Sequence, residues 1–267
     1  MATIKDLINL NGRRALITGA IGGLGRVMAE TLGELGADLL LVDRPGAIIG
    51  NFGTDLAERW GIKVEHHVCD LELQEERTKL IERLKGGNQG LNILINNASF
   101  VGMSDLQGWS VPFEAQTVET WRRALEVNLT AVFDLCQSLT PLLKAAEGAN
   151  IINIASIYGL YGPDWRLYEG TRMSNPAAYG ASKGGLIQFT RWLATTIAPN
   201  VRVNAISPGG VFRNQPEIFV NRYEAKTPLG RMATEDDFRG VVAYLASDLS
   251  KYVTGQNLTV DGGWGVW

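Results

Sequence analysis

The sequence predicts an α/β fold, a doubly wound parallel sheet of about seven strands with helices on both faces. Three observations predict it. Short apolar, β-branched runs recur along the chain, amphipathic helical stretches separate them, and the first strand-to-helix junction is rich in glycine. Continuous apolar strands need cover on both faces, and alternating helices supply it.

The elements follow in order. Ala15-Leu16-Ile17 forms the first strand and a helix pattern covers 25–35. The second strand, 38–42, carries Leu39-Leu40-Leu41-Val42, and a helix near 54–60 leads to a third strand over 64–68. A helix over 73–84 precedes the buried strand 91–95, and one long helix is expected from 118 to 143. Then come the strand 150–154, a helix over 178–197, a strand over 201–206, a helix near 235–245 and a last strand over 257–260. A chain of 267 residues allows one or two domains at roughly 150 residues each, and no composition break marks a linker. One domain spanning 1–267 is expected.

Composition narrows the classes. Twenty-five Lys+Arg against 28 Asp+Glu give a net charge of -3, with no electrostatic reason to expect a nucleic-acid or anionic-membrane partner. With 45% hydrophobic and 20% charged residues, the chain can bury a full core. No apolar run approaches the roughly 20 residues of a membrane span. Two scattered cysteines, Cys69 and Cys136, and the adjacent pair His66-His67 offer no metal-ligand spacing. The first residues, Met1-Ala2-Thr3-Ile4-Lys5-Asp6, lack a basic segment followed by an apolar run, so a cytoplasmic, reduced, metal-free protein is expected.

The first junction reads Thr18-Gly19-Ala20-Ile21-Gly22-Gly23-Leu24-Gly25. Glycines there permit a tight turn and close backbone approach to a pyrophosphate, and the following helix aims its positive end at that anion. Gly19, Ile21, Gly22, Gly23 and Leu24 are therefore candidate cofactor residues. Asp43 ends the second strand, 18 residues beyond Gly25. A carboxylate at that point accepts hydrogen bonds from an adenosine ribose and repels a 2′-phosphate, which favours NAD. The neighbouring Arg44 offers a guanidinium to such a phosphate and keeps NADP as the less favoured cofactor.

Tyr179 and Lys183 stand four residues apart in Tyr179-Gly180-Ala181-Ser182-Lys183, on one face of a helix. A tyrosine near its ordinary pKa of roughly 10 is a poor base at neutrality. A nearby ammonium and an oxidised nicotinamide are expected to pull it down into useful range.

With these motifs in this order, the chain resembles the short-chain dehydrogenase/reductase family, in its shorter-subunit branch, from about Arg13 to Gly263. The resemblance implies a Rossmann-like fold and an NAD(P)-dependent oxidoreductase that transfers hydride between nicotinamide and a secondary alcohol or ketone. It implies that Asp70-Leu71 meets the adenine and that Asn96-Asn97-Ala98 stabilises the sheet, with Asn97 and Ala98 beside the cofactor. Asn128 would hold a proton-relay water and Ser156 would orient the substrate oxygen. Tyr179 would be the acid/base, with Lys183 as its partner and a grip on the nicotinamide ribose. Pro208-Gly209 would lie beside the nicotinamide. Arg213 stands where the family often has a threonine on the carboxamide, which leaves that contact to backbone at Val211. Ser99 replaces a usual glycine.

The interval of 23 residues from Ser156 to Tyr179 is longer than the family norm. The insert, about 157–178, holds Tyr158, Tyr161, Trp165 and Tyr168 among Asp164, Arg166, Glu169 and Arg172. Tethered between two catalytic residues, it is expected beside the reacting carbon, where aromatics and charges suit a sugar or polyol. Arg166 and Arg172 are candidates for a substrate carboxylate or phosphate. Its Tyr168-Glu169-Gly170-Thr171 segment is similar to oxidoreductases of surface-sugar and flagellin modification; packing against a subunit is the other use of such aromatics. The terminal Trp264 and Trp267 are expected to dock on a partner subunit, giving a homodimer or homotetramer. Trp121 and Trp192 are expected in the core or an interface. An NAD-retaining sugar epimerase or dehydratase, or a non-catalytic dinucleotide sensor, stand as alternative functions.

Overall fold

The computed structural model describes residues 1–267 except Asn88, Gly102, Met103 and Asp105. Seven parallel strands form one sheet in the order β3-β2-β1-β4-β5-β6-β7. They are β1 (Arg14–Thr18), β2 (Asp38–Asp43), β3 (Val64–Val68), β4 (Ile93–Asn96), β5 (Asn150–Ile154), β6 (Arg202–Pro208) and β7 (Asn257–Val260). Strand order reverses between β1 and β4, which pair at Leu16↔Leu94. A crevice opens at the carboxyl ends of the strands at such a reversal.

Period-two alternation sends neighbouring side chains into separate cores. Leu16, Leu40, Leu94 and Ile151 enter one, against α4 (Gln74–Gly86), α6 (Ala131–Lys144) and α7 (Ala177–Ile197). Ile17, Leu41, Ile95 and Ile152 enter the other, against α2 (Gly23–Glu34), α3 (Phe52–Trp60) and α9 (Arg239–Ala246). The strands thus read as continuous apolar runs because both faces are covered.

The helices depart from expectation in three places. A short helix, α1 (Ile4–Ile8), is set by a capping box between Thr3 and Asp6. The expected continuous helix over 118–143 is interrupted: α5 (Val118–Leu125) passes through a π turn at Glu126–Thr130 before α6. The third is α8 (Glu217–Lys226), whose Phe219 and Tyr223, one turn apart, are buried. No helix among the described residues is long and apolar enough to cross a membrane.

Candidate active site

The carboxyl ends of the strands rim one cleft of about 1130 Å³. At its centre Thr18 ends β1, and its hydroxyl accepts hydrogen bonds from the backbone N–H groups of Asn97 (3.0 Å) and Ala98 (3.1 Å). The Asn97 side chain donates back to the carbonyls of Thr18 and Gly19, both at 3.0 Å, and locks the β4 loop onto the glycine turn. Two glycines are required there. Gly19 has φ +62°, and a Cβ on it would lie 2.9 Å from Ala98 Cα. A Cβ on Gly25 would lie 2.1 Å from the Gly19 carbonyl oxygen. The amino end of α2 has no side-chain cap and no acidic residue in its first turn, so its N–H groups and dipole face the cleft. That cradle fits the diphosphate of a dinucleotide.

At one end of the cleft, Asp43 accepts from Ile21 N and Arg44 N, each at 2.8 Å and each on a different carboxylate oxygen. Each oxygen keeps acceptor capacity for a ribose hydroxyl. Arg44 is exposed beside it, and Asp70 and Leu71 complete this end. Every residue expected to hold the cofactor lines the cleft: Gly19, Ile21, Gly22, Gly23, Leu24, Asp43, Arg44, Asp70, Leu71, Asn97, Ala98, Tyr179, Lys183, Pro208, Gly209 and Val211.

At the other end, Ser156, which follows β5, and Tyr179, from the first turn of α7, line the same cleft. Lys183, one turn on, is buried at 3% exposure and donates from Nζ to the Ile154 carbonyl at 2.7 Å. The lysine nitrogen sits 5.8 Å from the centre of the Tyr179 ring. Electrostatics differ from expectation here. Burial raises the Tyr179 phenol above its ordinary value, only partly opposed by Ser156, and desolvation brings Lys183 down to about 7. In the protein alone the low-dielectric surroundings are the largest cause of both shifts.

Two residues stand elsewhere than expected. Asn128 is buried in the π turn and its side chain is committed. The amide oxygen accepts from Phe100 N at 2.8 Å, while Nδ2 donates to Phe100 O at 3.2 Å and Ser182 Oγ at 3.1 Å. It therefore ties the β4 loop to α7 and does not itself line the cleft. Arg166 also stays outside. Its side chain is 82% exposed, and Asp164 takes its Nε and Nη2 at 2.8 and 2.7 Å. Asp164 is held far below its ordinary value chiefly by that guanidinium, with Lys226 adding a second contact at 3.1 Å. Arg172 does line the cleft, with the insert residues Tyr158, Tyr168 and Asn175. Tyr158 Oη and Tyr168 Oη are hydrogen-bonded at 2.6 Å, and burial pushes Tyr158 strongly upward.

Residues 19–265 match the family profile described as enoyl-(acyl carrier protein) reductase. The chain is a short-chain dehydrogenase/reductase. This dehydrogenase/reductase is 30% identical over 262 residues to 3-oxoacyl-(acyl-carrier-protein) reductase of Aquifex aeolicus, covering 96% of this chain and 98% of that one. It also matches the structure of a putative NAD(P)-dependent gluconate 5-dehydrogenase from Beutenbergia cavernae with bound NADP: TM-score 0.85, 32% identity, 97% and 99% of the two chains. A short-chain dehydrogenase from Leptospira borgpetersenii with bound NAD+ superposes with TM-score 0.82 at 34% identity, over 99% and 96%. The family assignment carries oxidoreductase chemistry with a nicotinamide dinucleotide.

Among the cleft residues of this dehydrogenase/reductase that escaped sequence reasoning are Phe219, Tyr223 and Met232. Phe219 and Tyr223 were detectable as an i, i+4 apolar pair after Pro216. Tyr223 stacks on Trp264, and its hydroxyl accepts from Gly210 N at 2.6 Å. Trp264 is thereby only 2% exposed within its own chain, so it has no face left for a partner subunit.

Proposed function

We propose that this protein interconverts a secondary alcohol and a ketone on a polar, hydroxylated small molecule of the sugar or polyol type, with NAD as the preferred cofactor. The observation that carries the reading is the meeting of Ser156, Tyr179 and Lys183 in the same cleft as the uncapped glycine turn. Bound along that cleft, the dinucleotide supplies the redox carbon at its nicotinamide end. Ser156 then donates a hydrogen bond to the substrate oxygen. Tyr179 Oη takes the proton from that oxygen in oxidation and returns it in reduction. Lys183 stabilises the phenolate when protonated and, when neutral, accepts the proton from the Tyr179 phenol and carries it away. Asn128 acts by positioning, fixing α7 through Ser182 and the β4 loop through Phe100. The carboxylate of Asp43 supports NAD, since a 2′-phosphate beside it would meet like charge.

Tyr158, Tyr168, Asn175 and Arg172 support a polar substrate, because they place hydroxyl, amide and guanidinium donors along the cleft wall. Phe133 on α6, with Phe189 and Trp192 on α7, forms an exposed aromatic cluster that supports a homo-oligomer.

A panel of polyols, sugars and sugar acids run in parallel with NAD and NADP tests the reading, following reduction of the cofactor by absorbance. Turnover with NAD on at least one hydroxylated substrate is expected. Tyr179→Phe should keep NADH binding and lose at least about a hundredfold in kcat, the usual scale of general acid–base catalysis. Full turnover in that variant would remove Tyr179 from the chemistry.

A further inference from the structure

Arg213 has a placement that the sequence comparison with its family does not account for. The loop carrying it is pinned on both sides: Phe212 N donates to Ala233 O at 2.8 Å and Ala233 N to Gly210 O at 2.9 Å. Arg213 N donates to Gln215 Oε1 at 2.6 Å, and Gln215 Nε2 donates to Val211 O at 2.8 Å. The backbone at 213 is thus fixed before any ligand arrives.

From that anchor the guanidinium reaches across the cleft to the glycine turn. A Cβ placed on Gly23 would stand 2.7 Å from Arg213 Nη2 and 2.6 Å from Glu235 Oε1. Glu235 holds the guanidinium by its Nε at 3.3 Å. Arg213 lines the cleft and Glu235 does not, so the guanidinium is tethered at Nε from outside the cleft, with Nη2 against Gly23.

The other cleft cations are spent or distant from the turn. Arg123 is paired with Glu72 through Nε at 2.6 Å and Nη2 at 3.0 Å. Lys183 is bound to Ile154 O, Arg44 lies at the Asp43 end, and Arg172 belongs to the insert. A dinucleotide with its adenosine at Asp43 and its redox ring at Tyr179 must cross the amino end of α2 with its diphosphate. Arg26, in the first turn of α2, is spent on the Ile21 carbonyl at 3.0 Å and on the Phe52 ring, which leaves Arg213 as the cation that lines the cleft at that crossing.

We propose that Arg213 is a cofactor-binding residue that reaches from the 210–215 loop to meet the diphosphate beside the glycine turn, with Glu235 holding it in place. The proposal rests on the dinucleotide reading above. It gives the diphosphate two kinds of donor: neutral N–H groups and a helix dipole from α2, and a planar charged donor from the 210–215 loop. It also gives this position a task other than the carboxamide contact expected of a threonine there.

Titration of NADH, NADPH and ADP-ribose into wild type, Arg213→Met and Arg213→Lys tests it by calorimetry. ADP-ribose carries the diphosphate without the nicotinamide. Loss of one charge-assisted hydrogen bond corresponds to roughly tenfold or more in affinity. Arg213→Met should weaken the preferred dinucleotide and ADP-ribose by the same factor of about ten or more, and Arg213→Lys should recover part of it. The wild-type affinity should also fall more steeply with salt than that of Arg213→Met. Unchanged affinities in Arg213→Met would overturn the proposal. A loss for the dinucleotide with none for ADP-ribose would move Arg213 to the nicotinamide end and overturn it equally. Wild type that binds neither NADH nor NADPH would instead remove the dinucleotide reading itself. At 38% side-chain exposure Arg213 is not a core residue, and an unchanged Tm in both variants shows that the fold is intact.

Discussion

Lys183 is held where burial and chemistry pull in opposite directions. Its ammonium is needed beside the phenol of Tyr179, yet the surroundings lower its pKa from 10.5 to about 7. Between those two values the unfolded chain binds a proton that the folded protein does not, so this group makes stability rise with pH across that window. Below about 7 both states are protonated and the folded state bears the whole desolvation penalty. Lys183→Met removes the penalty but leaves the Ile154 carbonyl without its 2.7 Å donor, a loss of about 1–3 kcal/mol. A shift from 10.5 to about 7 outweighs that loss at low pH, since each unit corresponds to about 1.4 kcal/mol. The expected outcome is an inactive Lys183→Met with a Tm about 2 °C or more above wild type at pH 6 to 7, an advantage that shrinks toward pH 10. Calorimetric melts across that range check it; an advantage that grows with pH would show that the lysine is not desolvated as described.

At the scale of the element, the insert and α8 form one wall of the cleft and depend on each other. Tyr168 packs on Phe219 with ring centres 5.4 Å apart, and Asp164 reaches Lys226 at the end of α8. The two insert arginines therefore separate by function. Arg172→Ala should raise KM for an anionic substrate by about tenfold with little change in kcat, whereas Arg166→Ala should leave both as in wild type. Steady-state kinetics on a sugar acid decide, and equal effects from the two would mean that the Asp164 pair opens in solution. This division was invisible in the sequence, where both arginines stand among the same aromatics. Nothing local says that Asp164, two residues before Arg166, captures it. The strands and the helices packed on them were legible because their periodicity is the direct imprint of two-sided burial. The π turn was not, since the pattern over 118–143 stays amphipathic and only the long-range bonds from Asn128 to Phe100 and Ser182 require the wider turn. Asp43, Tyr179 and Lys183 were readable because each is tied to a strand end or a helix spacing. Arg213 reaches Gly23 across the fold, a distance no sequence window covers.

On the scale of the whole molecule, one physical arrangement serves both stability and function. The reversal of strand order between β1 and β4 gathers the glycine turn, Asp43, Asn97, Ser156 and Pro208 at one edge, while the opposite faces of the sheet carry the helices. Those helices leave an aromatic face uncovered. Phe133 is 45% exposed and Trp192 56% exposed, with Phe189 between them at ring distances of 5.9 and 6.4 Å. About half of each large ring, roughly 100 Å², is then available to a partner and contributes about 2 kcal/mol per ring when buried. In a two-fold arrangement the same patch meets itself, so each ring counts twice. The C-terminal Trp267, 75% exposed, is a separate surface whose Nε1 already donates to Lys226 O. Light scattering on the purified protein should therefore give an oligomer of this chain at micromolar concentration. Phe133→Glu combined with Trp192→Glu should shift it to a smaller species with unchanged far-UV circular dichroism, and Trp267→Ala should not. A wild type that runs as a monomer, or an oligomer lost only with Trp267, would place the subunit contact somewhere other than the α6–α7 face.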